Sequence, residues 1–490
     1  VIFMLSLGMS ILYNLGTSIF KGEISFLTQA LTAVLQLAVT IDYSIFLWHS
    51  YKEQKTFYPN DNKEAMAVAI NKTVASVVSS SLTTVAGFLA LCFMSYTLGM
   101  DMGIVMAKGV ILGVICCITV LPSLILICDK ALEKTMHKDF LPNMDGISKF
   151  IVNHRAVFLI LFAVLLVPSI YGQINTNVYY NLTDSLPHDL NSAIANTKLS
   201  EEYNMASTHI VMCRSDMSSK EVSKMTAEME KVDGVSFALG FDSLVGPMIP
   251  QEIIPESITN TLKSENWQMI IVGSDYKPAS DEVNSQIEKL SSIIKNYDES
   301  GMVIGEAAAT KDLISITDHD FQVVNIVSIA AIFVIIFIAL KSISLPIILV
   351  AVIEFAITVN MGLPFYIKTT IPFIASVVIG TIQLGATVDY AILMTTRYKT
   401  ERISGKSKYD AVTIALKTSI KSIMVSALGF FAATFGVGMY SNVDMISQLC
   451  TLMSRGAIIS MVTVICVLPS MLMLLDKPIR ATTLGMKTNN

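Results

Sequence analysis

Long apolar runs alternate with short polar segments along most of this chain of 490 residues. A run of about twenty apolar residues is long enough to cross a bilayer as a helix. The pattern therefore predicts ten membrane-spanning helices, near residues 1–20, 24–48, 73–97, 103–128, 155–173, 321–340, 345–366, 371–396, 412–439 and 448–475. Only a few residues separate the first two spans, as in a tight helical hairpin.

One long polar segment, residues 174–320, interrupts the apolar pattern. Short alternations such as His209-Ile210-Val211-Met212 predict strands, and longer amphipathic stretches predict helices. The predicted order is helix 189–204, strand 208–213, helix 218–231, strand 234–240, an irregular proline-bearing stretch, strand 267–273, helix 281–297, strand 301–306 and helix 309–320. The last helix is predicted to run straight into the next span. Two α/β halves around a crossover favour a ferredoxin-like α+β domain.

Basic residues divide the loops into two groups. Lysine and arginine are frequent in 49–72, 129–154 and 397–411, whereas 98–102 and 440–447 contain none. Loops rich in lysine and arginine remain in the cytoplasm. The pattern therefore predicts a multi-pass protein of the cytoplasmic membrane whose polar insert is extracytoplasmic.

Composition supports the membrane interpretation and excludes several classes of protein. The chain is 53% hydrophobic and 15% charged, with a mean hydropathy of +0.60, which is too apolar for a soluble globular protein. Six of the seven cysteines lie in apolar runs, so a disulfide framework is not indicated. We find no metal-ligand spacing, no phosphate-binding loop for ATP, no catalytic triad and no nucleic-acid-binding patch. We therefore expect no enzyme activity, no metal and no cofactor.

An internal repeat relates the two ends of the chain. Residues 36–45 (QLAVTIDYSI) recur as residues 383–392 (QLGATVDYAI), at an offset of 347. The same offset places Ser426 on Ser79, Arg455 on Lys108, residues 467–470 on 120–123, and Asp476 on Asp129. Because both copies share one orientation, the halves are predicted to be parallel repeats around an axis along the membrane normal.

Each copy of the motif places an aspartate inside a membrane span. A charged aspartate at the middle of a bilayer costs about 2.5–3.5 kcal/mol on insertion scales. Asp42 and Asp389 are therefore the leading candidates for a proton relay, together with Tyr43 and Tyr390. The alternative is that the aspartates only join helices by hydrogen bonds, but their repetition in register favours the relay. Ala38 and Gly385, one turn earlier, would let another helix approach closely.

Other polar residues recur around the motif. Gln36, Thr40 and Tyr43 form a stripe on one helix, and Gln383, Thr387 and Tyr390 repeat it. Ser79 and Ser426 lie in the next span of each half. These glutamines, threonines and serines are either further relay members or ordinary helix contacts, and contacts are favoured for the serines. We expect Lys108 and Arg455 to extend to lipid headgroups.

The layout of spans with its repeated aspartate–tyrosine pair resembles the resistance-nodulation-division (RND) superfamily, and within it the MMPL branch. The resemblance covers essentially the whole chain. It implies an α-helical polytopic membrane protein, an RND-like pseudo-twofold helix bundle with an extracytoplasmic porter domain. It also implies that the aspartate of one half pairs with the tyrosine of the other, which would join Asp42 to Tyr390 and Asp389 to Tyr43.

The repeat gives an expected domain plan. Residues 1–128 form the last four spans of a first half, 129–154 a cytoplasmic linker and 155–173 the first span of the second half. The porter domain covers 174–320, the remaining spans 321–476 and a cytoplasmic tail 477–490. A span, a second extracytoplasmic domain and a further span are expected before Val1, so the chain is expected to be an N-terminally truncated member with twelve spans when intact.

The resemblance implies export of lipids or other hydrophobic compounds, driven by inward proton flow. The partners would then be the substrate, protons and the lipid bilayer; the oligomeric state is open. Two alternatives share the fold, a sterol-sensing-type membrane sensor and a protein-translocation accessory. Aspartates in both halves favour proton coupling over a sensor.

Overall fold

The apolar runs form long helices in the computed structural model, which describes residues 1–135, 144–180, 187, 189–241 and 261–486. Within these residues, ten helical stretches are long and apolar enough to cross a membrane, the number predicted. The helices are α1 (Ile2–Thr17), α2 (Phe26–Phe57), α3 (Asn62–Ala90), α4 (Thr97–Thr135), α5 (Asp145–Asn153), α6 (Arg155–Ile174), α7 (Asn191–Tyr203), α8 (Ser219–Met229), α9 (Asp281–Tyr297), α10 (Glu306–Leu340), α11 (Ser344–Ile367), α12 (Phe373–Ile403), α13 (Lys408–Tyr440), α14 (Asp444–Cys466), α15 (Leu468–Leu474) and α16 (Asp476–Thr482).

Several helices extend beyond the apolar runs that predict them, because capping side chains set their ends. Ser25 caps α2 by accepting a hydrogen bond from the amide of Leu27. Asp61 caps α3, twelve residues before the predicted start of that span, and Ser407 caps α13. A capping oxygen satisfies amides that would otherwise lack a partner in the first turn. The N-terminal ends of these helices are therefore fixed by polar contacts rather than by hydropathy.

The chain divides into two compact units. Unit 1 comprises Val1–Val178, His319–Ser441 and Met445–Asn490, and unit 2 comprises Tyr179–Asp318 and Asn442–Asp444. Unit 2 lies almost entirely within the predicted insert 174–320. Parts of the predicted linker 129–154 and tail 477–490, namely 136–143 and 487–490, lie outside the described residues.

Within unit 1 the two repeats are interleaved. Helices α1 to α4 pack on one another, while α2 also packs against α13 and α12 against α3. Among the described spans, α2, α11 and α12 have the largest buried share. The two helices that carry the repeated aspartates are thus held in the interior, where each contacts a helix of the other half.

A pair of glycines brings α6 and α11 into backbone contact. A Cβ added at Gly362 would lie 2.4 Å from the carbonyl oxygen of Ser169, and one added at Gly172 would lie 2.5 Å from the carbonyl oxygen of Gly362. These distances are well below ordinary van der Waals contact, so only glycine permits this spacing. The aromatic pair Phe162 and Phe355, with ring centroids 4.6 Å apart, packs the same two helices further along.

Unit 2 contains a four-stranded antiparallel sheet. Its strands are β2 (Ser207–Arg214), β3 (Val235–Gly240), β4 (Trp267–Ser274) and β5 (Met302–Ile304), and their spatial order is β3-β4-β2-β5. Two-residue strands, β1 (Val178–Tyr179) and β6 (Ile371–Pro372), complete the strand list of the described residues. The chain order of the sheet and its helices is β2-α8-β3-β4-α9-β5, and every neighbouring pair is antiparallel.

The core of unit 2 lies between this sheet and helices α8 and α9. Val211 and Val272 from the sheet pack with Met225 of α8 and Leu290 of α9, and all four are fully buried. The predicted strands and helices of this region agree with the observed ones to within a few residues, and α10 runs from Glu306 to Leu340 without a break. Most of the predicted proline-bearing stretch, 242–260, lies outside the described residues.

Candidate functional site

The two repeated aspartates are buried in the middle of long helices. Asp42 of α2 is 5% exposed and Asp389 of α12 is 8% exposed. Among the described ion pairs, none includes either carboxylate. A buried charge without a counter-ion is costly, so gain or loss of a proton at these two carboxyls strongly changes the energy of the site.

Small residues bring α12 against α3, as predicted for Gly385. A Cβ added at Gly87 of α3 would lie 3.3 Å from the Cα of Gly385, and one added at Gly385 would lie 3.4 Å from the Cα of Thr84. The Thr84 hydroxyl donates a hydrogen bond to the carbonyl of Gly385 at 3.1 Å. This close crossing fixes Asp389, one turn further along α12, beside the hydroxyls of α3.

Asp389 of the second half is contacted by hydroxyls of the first half. Thr83 Oγ1 lies 3.2 Å from Asp389 Oδ1, and it also lies 2.5 Å from the carbonyl oxygen of Ser80. A threonine hydroxyl has one proton but can also accept. Thr83 can therefore donate to a charged Asp389, or accept from a protonated one while donating to the Ser80 carbonyl. The Ser80 hydroxyl is a second neighbour of this carboxyl.

Asp42 of the first half faces the second half in the same way. Its neighbouring hydroxyl is Ser426 of α13. Neither Asp42 Oδ1 nor Ser426 Oγ completes a hydrogen bond of normal geometry within the described residues. Each carboxyl therefore lies against a helix of the opposite repeat, α3 for Asp389 and α13 for Asp42.

The two tyrosines of the motif are also crossed between the halves. Tyr43 is fully buried and Tyr390 is 2% exposed. The carboxyl that acts most strongly on the Tyr43 hydroxyl is Asp389, and the one that acts most strongly on Tyr390 is Asp42. Neither hydroxyl completes a hydrogen bond within the described residues. The structure thus brings the four residues together, and the implied aspartate–tyrosine hydrogen bonds stay a prediction.

The threonines of the predicted stripe bond to their own helices. Thr40 Oγ1 donates to the carbonyl of Gln36 at 2.5 Å, and Thr387 Oγ1 donates to the carbonyl of Gln383 at 2.7 Å. Both threonines are buried. Their hydroxyl protons are committed to backbone carbonyls, and their oxygens remain able to accept.

The glutamines of the stripe form one polar cluster in each half. In the first, Asn14 Nδ2 donates to Gln36 Oε1 at 2.9 Å, and Gln36 Nε2 donates to Ser10 Oγ at 3.1 Å. In the second, Asn360 Nδ2 donates to Gln383 Oε1 at 2.8 Å, and Gln383 Nε2 donates to Ser460 Oγ at 3.0 Å. Gln383 therefore joins three helices, α11, α12 and α14, whereas Gln36 joins α1 to α2 and Asn14 extends the first cluster to the carbonyl of Val105 on α4.

The hydroxyl of this cluster comes from a different helix in each half. Ser10 belongs to α1, and the residue of α11 at the corresponding position is Ala356. Ser460 belongs to α14, and the residue of α4 at the corresponding position is Gly113. Each glutamine therefore donates to one serine hydroxyl, but that serine lies on α1 in the first half and on α14 in the second.

A cation completes each cluster, which sequence reasoning missed. Lys108 Nζ donates to the carbonyl of Asn14 and to Ser18 Oγ, both at 3.0 Å. Arg455 donates from Nε to Asn360 Oδ1 at 2.8 Å and from its terminal nitrogen to the Asn360 carbonyl at 2.7 Å. Lys108 and Arg455 were expected to extend to headgroups, but they bond inward because oxygens of Asn14, Ser18 and Asn360 lie within their reach.

A one-residue slip in the repeat hid some of these partners. Asn360 lies 346 positions after Asn14, one fewer than the offset that relates the aspartates. The same slip makes Ser80, which is buried beside Asp389, the counterpart of Ser426, while the predicted Ser79 is only half-buried. Aligning the two halves with a tolerance of one residue in the offset would have paired Asn14 with Asn360 and Ser80 with Ser426.

A second pair of clusters ties the opposite ends of α2 and α12. Tyr51 donates to Asp129 Oδ1 at 2.9 Å, and Lys55 lies 2.6 Å from Asp129 Oδ2. In the other half, Arg402 pairs with Asp476 at 2.9 Å, and a tyrosine hydroxyl again donates to that carboxylate. Both aspartate-bearing helices are therefore anchored by polar contacts on either side of the buried carboxyls.

Comparison with known proteins gives one family. The sequence model of the MMPL family matches residues 1–141 and 182–482. The chain is 20% identical over 438 residues to membrane protein YdfJ of Bacillus subtilis, a match covering 85% of this chain and 58% of that protein. It is 22% identical over 217 residues to putative membrane protein YdgH of the same organism, covering 42% and 23%.

A shorter match is more similar. Over 100 residues the chain is 32% identical to putative membrane protein ActII-3 of Streptomyces coelicolor, covering 20% of this chain and 14% of that protein. The chain thus matches between 14% and 58% of the length of these curated relatives.

Proposed function

Because the chain belongs to the MMPL family of membrane proteins, we propose that it works as a proton-driven exporter of lipids or other hydrophobic compounds. The observation that carries this proposal is the crossed arrangement of Asp42, Tyr43, Asp389 and Tyr390 in the bundle interior. A carboxyl that has no counter-ion among the described residues and faces the opposite repeat couples its own protonation to the packing between the halves.

The proposed mechanism uses this coupling. When Asp389 is charged, Thr83 and Ser80 of α3 offer it hydrogen-bond donors, so the second half is drawn towards the first. When Asp389 is protonated, it becomes a donor itself and these contacts rearrange. A membrane potential contributes about 2.3 kcal/mol per charge per 100 mV, which is comparable to the energy of such hydrogen bonds. Inward protons can therefore drive the halves between two arrangements.

Unit 2 supplies the proposed porter domain. The order β2-α8-β3-β4-α9-β5 with spatial order β3-β4-β2-β5 supports a ferredoxin-like sandwich. The lysine and arginine distribution of the loops supports a location outside the cytoplasmic membrane.

The test is proton movement by the full-length protein in liposomes with a trapped pH dye. Asn has the shape of Asp but cannot cycle a proton, so Asp389→Asn should abolish proton influx and export while leaving expression and folding intact. Asp216→Asn is the matched control, because Asp216 is an exposed carboxylate of unit 2. Gradient-dependent export that persists in Asp389→Asn would refute the relay. A wild-type protein that moves no protons would favour a sensor or an accessory role instead.

A further inference from the structure

The first-half cluster contains a buried acceptor without a donor. Asn14 is fully buried, and its Oδ1 has no hydrogen-bond partner within the described residues. An unpaired buried acceptor is unusual and calls for a partner such as a water molecule. The orphaned atom lies in the cluster that joins α1 to the aspartate-bearing helix α2.

The orientation of this amide is fixed by its neighbours. Asn14 Nδ2 donates to two acceptors, Gln36 Oε1 at 2.9 Å and the carbonyl of Val105 at 3.2 Å. A flipped amide would place its oxygen against both of these acceptors. Oδ1 therefore remains the unpaired atom.

The second half shows what is missing from the first. Asn360 makes the same two donations, to Gln383 Oε1 at 2.8 Å and to the carbonyl of Leu452 at 2.9 Å. Its Oδ1 is satisfied, because the planar guanidinium of Arg455 reaches both Oδ1 and the backbone carbonyl of Asn360. The ammonium of Lys108 carries its protons on one nitrogen, and its two described hydrogen bonds go to the Asn14 carbonyl and Ser18 Oγ rather than to Asn14 Oδ1.

The lysine keeps a donor that its described hydrogen bonds do not use. Its ammonium has three protons, and the carbonyl of Asn14 and Ser18 Oγ account for two of them. A neutral water can accept from the third and donate to Asn14 Oδ1. A hydronium ion would be repelled by the ammonium, so the occupant is neutral.

We propose that the first-half cluster binds one water molecule between Lys108 of α4 and Asn14 Oδ1 of α1. This water makes the contact between α1 and α4 adjustable, and the hydrogen bond from Asn14 to Gln36 transmits the adjustment to the relay helix α2. The corresponding contact of α11 with α14 is held directly by the two hydrogen bonds from Arg455 to Asn360. The proposal deepens the proposed function, since it makes Lys108 a positioning residue for the helix that carries Asp42.

The test converts one cluster into the other. In the full-length protein, Lys108→Arg places the guanidinium of the second half into the first and should displace the water. We expect the midpoint of thermal unfolding to rise and the transport turnover to slow by about tenfold. One added hydrogen bond that must break in each cycle would raise the barrier by about 1.4 kcal/mol, which corresponds to this factor. The apparent affinity for protons should stay unchanged. Arg455→Lys is the matched variant and should lower the midpoint.

The water itself is observable. A high-resolution density map of the wild-type protein should show a peak within hydrogen-bonding distance of Asn14 Oδ1, and Lys108→Arg should remove it. A lowered or unchanged midpoint in Lys108→Arg, or an empty position in the wild-type map, would overturn the site. If Lys108→Arg is more stable than wild type but transports at an unchanged rate, Lys108 is not a positioning residue. The unfolding midpoint and the density for the water do not depend on proton transport. They therefore test the water site even if the protein is not a proton-driven exporter.

Discussion

Replacing Gly362 by alanine should destabilise the bundle at the contact of α6 with α11. The new Cβ would lie 2.4 Å from the carbonyl oxygen of Ser169 and 3.1 Å from the amide nitrogen of Gln173. Both are backbone atoms, so no side-chain rotation relieves the overlap and the helices must separate by about 1 Å, given contact distances near 3.5 Å.

The magnitude follows from two opposing effects. Overpacking of a close interior contact costs about 1–3 kcal/mol, and alanine is more favourable than glycine in a helix by about 1 kcal/mol. The net loss of stability is then up to about 2 kcal/mol. Gly436→Ala is the matched control, because no atom of the described part of the chain lies within 4 Å of a Cβ at this position of α13, apart from the helix's own backbone and chain neighbours. It should be neutral or slightly stabilising.

The assay is thermal unfolding of the purified full-length protein in lipid nanodiscs. A thiol-reactive dye can report unfolding, since Cys116, Cys117 and Cys450 are buried in the folded chain. Gly362→Ala should have a lower midpoint than wild type, and Gly436→Ala should not. If Gly362→Ala unfolds at or above the wild-type temperature, the close approach of α6 and α11 is not what stabilises this contact.

Three further outcomes are expected. If Asp42 and Tyr390 share one proton site, the effects of Asp42→Asn and Tyr390→Phe on the pH midpoint of proton uptake should not add. The deviation from additivity should correspond to a coupling free energy of about 0.5–3 kcal/mol. Strictly additive effects would show that the two residues do not share a proton site. Ser218→Cys should react with a membrane-impermeant thiol reagent in whole cells, because the porter domain is expected outside; labelling only after the membrane is opened would reverse the topology. Burial lowers the pKa of His209, an effect that its hydrogen bond to a glutamine partly offsets. Below about pH 6.5 the unfolded chain therefore binds a proton that the folded one does not. Stability of unit 2, followed by Trp267 fluorescence with the other tryptophan replaced by phenylalanine, should fall on acidification. An equally steep fall in His209→Gln would contradict this assignment.

Hydropathy predicted the spans well because bilayer thickness is a strong constraint on length and composition. The spans near 155–173 and 345–366 were located to within two residues of α6 and α11. The span near 73–97 was not, since α3 begins at Asn62, where Asp61 caps it. The elements of unit 2 were found from their periodicity, which is strong in short amphipathic strands and helices.

The surroundings of the aspartates were less predictable. The constant offset located Asp42 and Asp389, but a one-residue slip in the flanking spans concealed Asn360 and favoured Ser79 over Ser80. The inward direction of Lys108 could not be read from the sequence, because its partners lie on a helix distant in sequence. Tertiary contacts decide which way a polar side chain of a span is directed, whereas hydropathy indicates only how polar the span is.

The serines of the glutamine clusters make corresponding helices of the two halves non-interchangeable. Gln36 donates to Ser10 of α1, where α11 has Ala356, and Gln383 donates to Ser460 of α14, where α4 has Gly113. A chimaeric chain carrying α11 in place of α1 would leave the buried amide of Gln36 without this hydroxyl acceptor, at a cost of about 1–3 kcal/mol. Two copies that share one sequence motif are therefore each specific to one place in the bundle.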